Sequence, residues 1–169
     1  MSQSSKSNRP IVNFEVETAA GPVTLAGRLD LPSGPPQAWG LMVHGYTCSM
    51  DLAITRRVAE GLAGEGIAVL RFDLPGHGKS GGTFADTNFS DYKAAVLAAV
   101  EYLRKQHTAP RILVGHSLGG AAILAASAEI PEASAVATIG TPADVSEVVR
   151  LIGASPEQVE AQGEAAVTI

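Results

Sequence analysis

The sequence predicts an α/β fold with a mostly parallel sheet and helices on both faces. Three observations lead to this prediction. Short continuous apolar runs, typical of strands buried on both faces, alternate with longer segments of helical spacing. Gly and Pro residues separate many of these segments, as expected at turns and loops. Hydrophobic residues make up 46% of the 169 residues, which suffices for one domain with a buried core.

An antiparallel hairpin is predicted before this alternation begins. Apolar and polar residues alternate imperfectly in 11–18 and more cleanly in 23–31, and Gly21-Pro22 between them is typical of a turn. The buried strands and helices that follow are predicted, in chain order, at 39–43, 51–64, 67–72, 90–106, 111–114, 118–129 and 135–139. Strands that alternate with helices in this way pair in parallel.

Polar residues near two helix starts predict side-chain caps. Asp51 is expected to cap the first helix, and Ser90 or Asp91 the second, because their oxygens can accept from free N–H groups of a first turn.

The two ends of the sequence are predicted to lie outside the core, which we place at 11–143. Residues 1–10 are polar and are expected to form a flexible tail, and residues 144–169 a lid-like or edge-covering segment. Weaker patterns in that last segment predict two short helices and a strand, at 144–152, 156–162 and 165–169. Since the last apolar pattern stops abruptly, we expect the sheet to lack its C-terminal strands.

The segment 115–120, Gly-His-Ser-Leu-Gly-Gly, lies directly between a predicted strand and a predicted helix. It matches the pattern G-x-S-x-G, in which a sharp turn raises a serine hydroxyl above the edge of a sheet. We expect glycine at 115 and 119 because side chains there would collide with the serine. Ser117 is therefore the predicted nucleophile, and the alternative is a glycine-rich turn that serves only close packing.

A second pattern, His44-Gly45-Tyr46, follows the predicted strand 39–43. A His-Gly pair at this place is typical of a loop that supplies one N–H group of an oxyanion hole. The start of the helix after Ser117 would supply the other. The two predicted donors are the backbone N–H groups of Tyr46 and Leu118. His44 itself is interpreted as a structural residue whose ring binds nearby backbone.

A third pattern, D-L-P-G-H-G-K-S, occupies residues 73–80. With the two patterns above, it occurs in the order typical of α/β-hydrolases, which the sequence resembles over about residues 11–140. The resemblance implies an α/β-hydrolase fold and a mainly structural role for this loop. Asp73 would brace neighbouring backbone or the His44 loop. His77 is expected to be exposed, and we assign it no role.

Three further segments resemble one group of that superfamily more closely. They are residues 46–51 (Y-T-C-S-M-D), 84–89 (F-A-D-T-N-F) and 137–144 (A-T-I-G-T-P-A-D). They are similar to bacterial bifunctional proteins that join an α/β-hydrolase domain to an osmotically-inducible-protein-C-like peroxidase domain. Nothing in the sequence resembles the second domain. This resemblance implies that the chain corresponds to the front of the hydrolase domain.

The sequence departs from the superfamily in its catalytic base. The triad normally runs in the order Ser, then Asp or Glu, then His, whereas the four histidines here lie at or before position 116. A serine hydroxyl is a weak nucleophile without a base. The base could come from a partner chain or a missing C-terminal piece, or from an unusual local group, such as His44 or His116. The chain could also be weakly active or inactive. Asp144 could serve as the acid, or it could cap a following helix.

Composition argues against several classes of function. The net charge is −5 and no basic stripe occurs, which argues against nucleic acid or an anionic membrane as the main partner. No apolar run approaches the roughly 20 residues of a membrane span. The one cysteine, Cys48, leaves no multi-cysteine metal site, and we expect neither a metal nor an organic cofactor. The polar N-terminus lacks an apolar signal core, so the cytoplasm is the expected compartment.

The sequence therefore predicts a serine hydrolase that acts on small carboxylic esters through an acyl-enzyme on Ser117. Acyl transfer and thioester substrates stay open. The alternative is a non-catalytic or truncated scaffold that needs a partner or a missing C-terminal segment. Because the strand 135–139 would lie near an open sheet edge, we expect a homo-oligomer formed through that edge.

Overall fold

The computed structural model describes residues 9–144, which form a six-stranded sheet and three α-helices. The strands are β1 (Ile11–Thr18), β2 (Gly21–Asp30), β3 (Ala38–Val43), β4 (Ile67–Phe72), β5 (Ile112–His116) and β6 (Ala135–Ile139). The helices are α1 (Ala53–Gly64), α2 (Phe89–Gln106) and α3 (Leu118–Ser127), with a short 3₁₀ helix at Phe84–Asp86. The elements predicted after residue 144, and most of the predicted tail, lie outside the described residues.

The predicted N-terminal hairpin is present, but its turn lies two residues earlier than the sequence indicated. Residues 19–20 form the turn, and Gly21 opens β2 with a φ of 114°. Pro22 pairs in register with Glu17 of β1. Proline, which cannot donate to a ladder, is tolerated there because β4 pairs only with residues 27–30 of β2.

The sheet is mostly parallel, as predicted. Its strand order is β1-β2-β4-β3-β5-β6, with antiparallel pairing of β1 with β2 and of β2 with β4. From β4 to β6 all neighbours are parallel; Leu41 of β3, for example, pairs with Leu70 on one side and Leu113 on the other. The carboxyl ends of β3, β4 and β5 therefore meet at one edge, which brings the three sequence patterns together.

Helices cover both faces of the sheet, because successive side chains of a strand point to opposite faces. Leu41 and Leu113 belong to the larger core, which α2 and α3 cover. Their neighbours Met42 and Val114 belong to a smaller core with residues of α1.

The predicted helix caps at Asp51 and at Ser90 or Asp91 are wrong in detail. Asp51 does not cap α1, which has no side-chain cap. The Asp51 carboxylate instead accepts a hydrogen bond from Arg71 Nη1 at 2.9 Å. Asn88 caps α2, and its side chain accepts from the N–H groups of Ser90 and Asp91. Asp91 completes a capping box by accepting from the Asn88 N–H at 2.9 Å. Asp51 is not a cap because Arg71, a charged residue of another element, binds it. Ser90 and Asp91 are not caps because their neighbour Asn88 occupies the cap position.

Candidate active site

Ser117 occupies the turn between β5 and α3 in a backbone conformation that side-chain-bearing residues rarely adopt. Its φ is 52° and its ψ is −121°. The N–H of Ser117 donates to the Ile139 carbonyl at 2.9 Å, and its carbonyl accepts from Gly120 N–H at 3.0 Å. The Thr141 hydroxyl also donates to that carbonyl at 3.2 Å. The sharp strand–turn–helix geometry that the sequence indicated is thus present, and hydrogen bonds from β6 and the segment after it hold it.

Glycines around this turn are required, although for a different contact from the one we expected. A Cβ on Gly119 would lie 2.3 Å from the His44 carbonyl oxygen. A Cβ on Gly115 would lie 2.4 Å from the Cα of Gly120. The nearest colliding atoms are therefore backbone of neighbouring segments and not the serine. The glycines let α3 approach β5 and the end of β3 closely.

The β3–α1 loop, residues 44–52, lies directly against Ser117. A Cβ on Gly45 would approach the Ser117 Cβ to 2.9 Å. Tyr46 follows Gly45, and Leu118 is the first residue of α3, where helix geometry offers an N–H group no intrahelical acceptor. Among the hydrogen bonds seen within residues 9–144, none uses the N–H of Tyr46 or of Leu118. Their role as oxyanion donors stays a prediction.

His44 has the structural role that the sequence indicated. The ring is fully buried, and its Nδ1–H donates to the Gly45 carbonyl at 2.8 Å. Its Nε2 accepts from the Leu74 N–H at 3.0 Å. Burial lowers the pKa of His44 from 6.5 to about 4, although the hydrogen bond to Gly45 and the charge of Asp73 oppose this shift. Because both ring nitrogens are engaged, His44 offers no free lone pair to a serine proton.

Asp73 braces both adjoining loops, as the resemblance implied. Its buried carboxylate accepts from the N–H of Met50 at 2.6 Å and from that of Lys79 at 2.8 Å. Its Oδ1 lies 3.7 Å from His44 Nε2. The side chain thus ties the loop after β4 to the loop after β3.

His77 is buried, contrary to our expectation that it would be exposed. Its Nδ1–H donates to the Pro75 carbonyl at 3.0 Å, and its ring packs edge-on against Phe84 and Tyr92. A tight turn with positive φ at Gly76 (73°) turns this segment inward. The polar loop sequence gave no sign of these aromatic neighbours, which belong to the 3₁₀ helix and to α2.

Asp144, the predicted alternative acid, is the last described residue and is exposed. It follows Thr141, which contacts the Ser117 carbonyl, by three positions. Its role as an acid or as a helix cap stays a prediction. His116 ends β5, and its Nδ1 is buried without a hydrogen-bond partner in the part of the chain described.

Arg71 is the residue near the site that the sequence reasoning missed. It lies in β4 and is almost fully buried, and its Nε donates to Asp30 Oδ2 at 2.5 Å. Its Nη1 donates to the Met50 carbonyl and, at 2.9 Å, to Asp51 Oδ1. Burial by itself would lower the pKa of Arg71. The hydrogen bonds and charges of Asp30 and Asp51 outweigh this effect, so the pKa is raised above its ordinary value. A charged residue within an otherwise apolar strand was the signal that could have revealed it.

No metal centre or membrane-spanning helix is found among residues 9–144. No group of three or more His, Cys, Asp or Glu side chains in this part of the chain could hold a metal ion. None of the helices described is both long and apolar enough to cross a bilayer.

Comparison with protein families matches residues 34–160 to the family described as serine aminopeptidase, S33. The chain belongs to this family. The chain is also similar to α/β-hydrolases of known structure, which confirms the predicted superfamily and fold. The esterase domain of a Rhodothermus marinus protein is 42% identical with a TM-score of 0.66, covering 83% of this chain and 53% of that one. Est1E from Butyrivibrio proteoclasticus, solved with ferulic acid, is 28% identical with a TM-score of 0.75, covering 86% of this chain and 61% of that one.

A curated relative is the mitochondrial palmitoyl-protein thioesterase ABHD10 of Rattus norvegicus. It is 30% identical over 128 residues, which cover 73% of this chain and 42% of the relative. The matched part of this chain thus spans less than half the length of this relative. The finer resemblance to bifunctional bacterial proteins stays a prediction.

Proposed function

We propose that this S33-family chain is a serine hydrolase of carboxylic esters with Ser117 as its nucleophile. The observation that carries the proposal is the conformation of Ser117. A serine with a φ of 52° lies at the carboxyl end of β5, directly before α3 and against the loop after β3. Such strain persists only where the surrounding structure enforces it, and it is concentrated at functional sites.

The proposed chemistry uses backbone N–H groups of the two segments that meet at this hydroxyl. Ser117 Oγ gives its proton to a base, attacks the ester carbonyl carbon and forms the new C–O bond, while the carbonyl electron pair moves to oxygen. The N–H groups of Tyr46 and Leu118 stabilise that oxyanion. The tetrahedral species then breaks its bond to the alcohol oxygen, which takes the proton from the protonated base, and an acyl group is left on Ser117. Water attacks the acyl-enzyme in the same way and restores the hydroxyl.

The proton acceptor is proposed to lie outside residues 9–144, on the same chain or on a partner. His44 has both nitrogens engaged. His107 stacks on Trp39, at the start of β3 and so at the opposite edge of the sheet. His116 precedes Ser117 directly, and side chains of successive residues diverge at the end of a strand. His116 is nonetheless the local alternative to test, since its Nδ1 has no hydrogen-bond partner in the described structure.

A partner chain is one proposed source of that base. β6 is one of the two outer strands of the sheet in residues 9–144, and its residues Ala135 to Thr138 are exposed. An exposed strand edge can pair with another chain. In that case the rate at which a fluorophosphonate labels Ser117 should rise with protein concentration. The rise should follow the fraction of dimer measured by sedimentation.

Esters are proposed as the substrate class because similar proteins include an esterase domain and a thioesterase. Oxygen esters and thioesters can be separated by measuring kcat/KM for a p-nitrophenyl ester and for a thioester of the same acyl group.

The decisive experiment is stoichiometric labelling with a fluorophosphonate, followed by intact-mass and peptide mass spectrometry. Wild-type protein should gain one label on Ser117, and Ser117→Ala should gain none. Ser33→Ala, which alters an exposed loop serine, should label as wild type does. His116→Gln should also label at the wild-type rate if the base lies elsewhere; a loss of labelling would assign the base to His116. If folded wild-type protein gains no label, the alternative of a non-catalytic scaffold is favoured.

A further inference from the structure

A chain of buried charges runs from β2 to the loop that lies against Ser117. Asp30 at the end of β2 is 2% exposed, and Arg71 of β4 is 1% exposed. Two hydrogen bonds join them, from Nε to Oδ2 at 2.5 Å and from Nη2 to Oδ1 at 3.4 Å. The remaining arm of the guanidinium, Nη1, reaches out of the strand to the β3–α1 loop.

Met50 receives that arm, and buried charges bind both sides of its backbone. Its carbonyl accepts from Arg71 Nη1, and its N–H donates to Asp73 Oδ1 at 2.6 Å. The Met50 side chain is itself 1% exposed. Hydrogen bonds to charged groups are roughly twice as strong as neutral ones, so this residue is a firmly fixed point of the loop.

The other end of the loop is fixed independently, and the strained residue lies between the two ends. His44 binds the Gly45 carbonyl and the Leu74 N–H through its buried ring. Between the two fixed points, Thr47 has a φ of 54°, which is unusual for a β-branched residue. The predicted oxyanion donor, Tyr46, directly precedes Thr47. A loop in this conformation relaxes unless both ends are held.

Stability alone does not account for a buried ion pair at this place. Replacing such pairs by well-packed apolar residues is often neutral, or stabilising by roughly 1–4 kcal/mol, because desolvation opposes the attraction. Arginine supplies geometry instead, since its planar fork binds Asp30, Asp51 and the Met50 carbonyl together. A lysine ammonium is a point charge and lacks this fork.

We propose that Arg71 is a positioning residue that acts through the Met50 carbonyl to keep the Tyr46 N–H beside Ser117. This inference rests on the proposed function, because it assigns Arg71 to the oxyanion site of that reaction. Arg71 does not contact the reacting atoms. It fixes one end of the donor loop, and His44 fixes the other.

The test compares Arg71→Lys with wild type in fluorophosphonate labelling of Ser117. The oxyanion donor acts mainly in the transition state, so the maximal labelling rate should fall while the half-saturating probe concentration stays within twofold. A misplaced donor should slow labelling by about 10- to 100-fold. The matched control is Arg104→Lys, because Arg104 also binds a carboxylate through two nitrogens, that of Glu132, but on the exposed surface. Arg104→Lys should label at the wild-type rate.

Hydrogen–deuterium exchange of the same proteins separates positioning from general support of the fold. In Arg71→Lys, amide exchange should rise at least fivefold in peptides from residues 44–52 and stay near wild type in α2 and β5. Labelling within twofold of wild type would overturn the proposal, and so would a uniform rise in exchange over the whole chain. If circular dichroism shows Arg71→Lys to be unfolded, Asp30→Asn replaces it as the test variant. The carboxamide keeps the shape of the side chain but weakens its hydrogen bonds with Arg71.

The two proposals fail in different ways. If wild-type protein does not label, the proposed nucleophile is wrong, whatever Arg71 does. If wild type labels and Arg71→Lys labels equally fast, only the positioning role is wrong. Should wild type fail to label and exchange in residues 44–52 stay unchanged in Arg71→Lys, both are wrong.

Discussion

The β5–α3 turn and the β3–α1 loop lie against each other at the same edge of the sheet, and each contains one non-glycine residue with a positive φ. These residues are Ser117, at 52°, and Thr47, at 54°. The first turn is held by backbone hydrogen bonds and by close backbone contacts, which only glycine at positions 115 and 119 permits. The second is held by charged and polar side chains that bind its backbone at both ends.

The difference shows that one kind of local strain can be enforced by two independent means. Steric contact has a short range and does not depend on pH or salt. Buried hydrogen bonds reach across several strands, but they depend on the ionisation state of each partner. The two regions should therefore respond differently to substitution and to pH.

The largest effect is expected when the steric support of the elbow is broken by Gly119→Ala. The new Cβ would lie 2.3 Å from the His44 carbonyl oxygen and 2.5 Å from that of Val43, and both belong to backbone that cannot move easily. We expect a loss of about 4 kcal/mol in the free energy of unfolding, at the upper end of overpacking effects. Urea denaturation measures it.

The matched control is Gly61→Ala within α1, where a Cβ would meet nothing within 4 Å. There the change should stabilise the protein by about 0.5–1 kcal/mol, because alanine favours a helix. An equal response at positions 61 and 119 would show that close contact does not hold the elbow.

The loop after β3 should respond to pH through His44. Its pKa is about 4 in the folded chain and 6.5 as the ordinary value. Well above pH 6.5 the imidazole is neutral in both states and contributes no difference. As the pH falls from 6.5 to 4, the unfolded chain binds a proton that the folded chain does not, so stability falls by about 3 kcal/mol. Below pH 4 this contribution levels off.

Chemical denaturation of His44→Gln at several pH values tests this expectation. The variant should lose most of the decline between pH 6.5 and 5. His107→Gln is the control. Partial burial also lowers the pKa of His107, but its ring stacks on Trp39, far from the β3–α1 loop. A decline that His44→Gln leaves intact would show that His44 does not cause the pH dependence.

The smallest effect is expected from relief of strain in Thr47→Gly. Glycine adopts a positive φ without the steric cost of roughly 1–2 kcal/mol that other residues carry, although it also gains freedom in the unfolded chain. The net expectation is a stabilisation of about 0.5–1 kcal/mol, measured as a rise in Tm. Thr83→Gly is the control, since Thr83 has a φ of −110° and glycine should destabilise it. A loss of stability at both positions would show that the conformation of Thr47 is not strained.

Much of the architecture was predictable from sequence because it depends on local patterns. The apolar runs of β3 to β6 and the helical spacing of α1 to α3 gave each element within a few residues. The elbow was predictable because its glycines lie within six residues of Ser117. The turn of the first hairpin was misplaced, since Gly21-Pro22 opens a strand where no second neighbour needs the proline N–H.

Two of the features that failed, the roles of Asp51 and His77, depend on partners outside their own local sequence pattern. Asp51 has the composition of a cap but binds Arg71, twenty positions away. His77 lies in a polar loop, yet Phe84 and Tyr92 bury it. Neither contact has a local pattern that a periodicity argument could detect.

The sequence by itself determined the order of strands and helices, the elbow at Ser117 and the loop beginning at His44, because each is encoded by adjacent residues. Only the tertiary structure decided that His44 has no free ring nitrogen and that Arg71 reaches the Met50 carbonyl. The physical reason is that burial and hydrogen bonding join atoms from separate strands. Their effect on pKa and on loop geometry exists only once parallel pairing has brought the ends of β3, β4 and β5 to one edge.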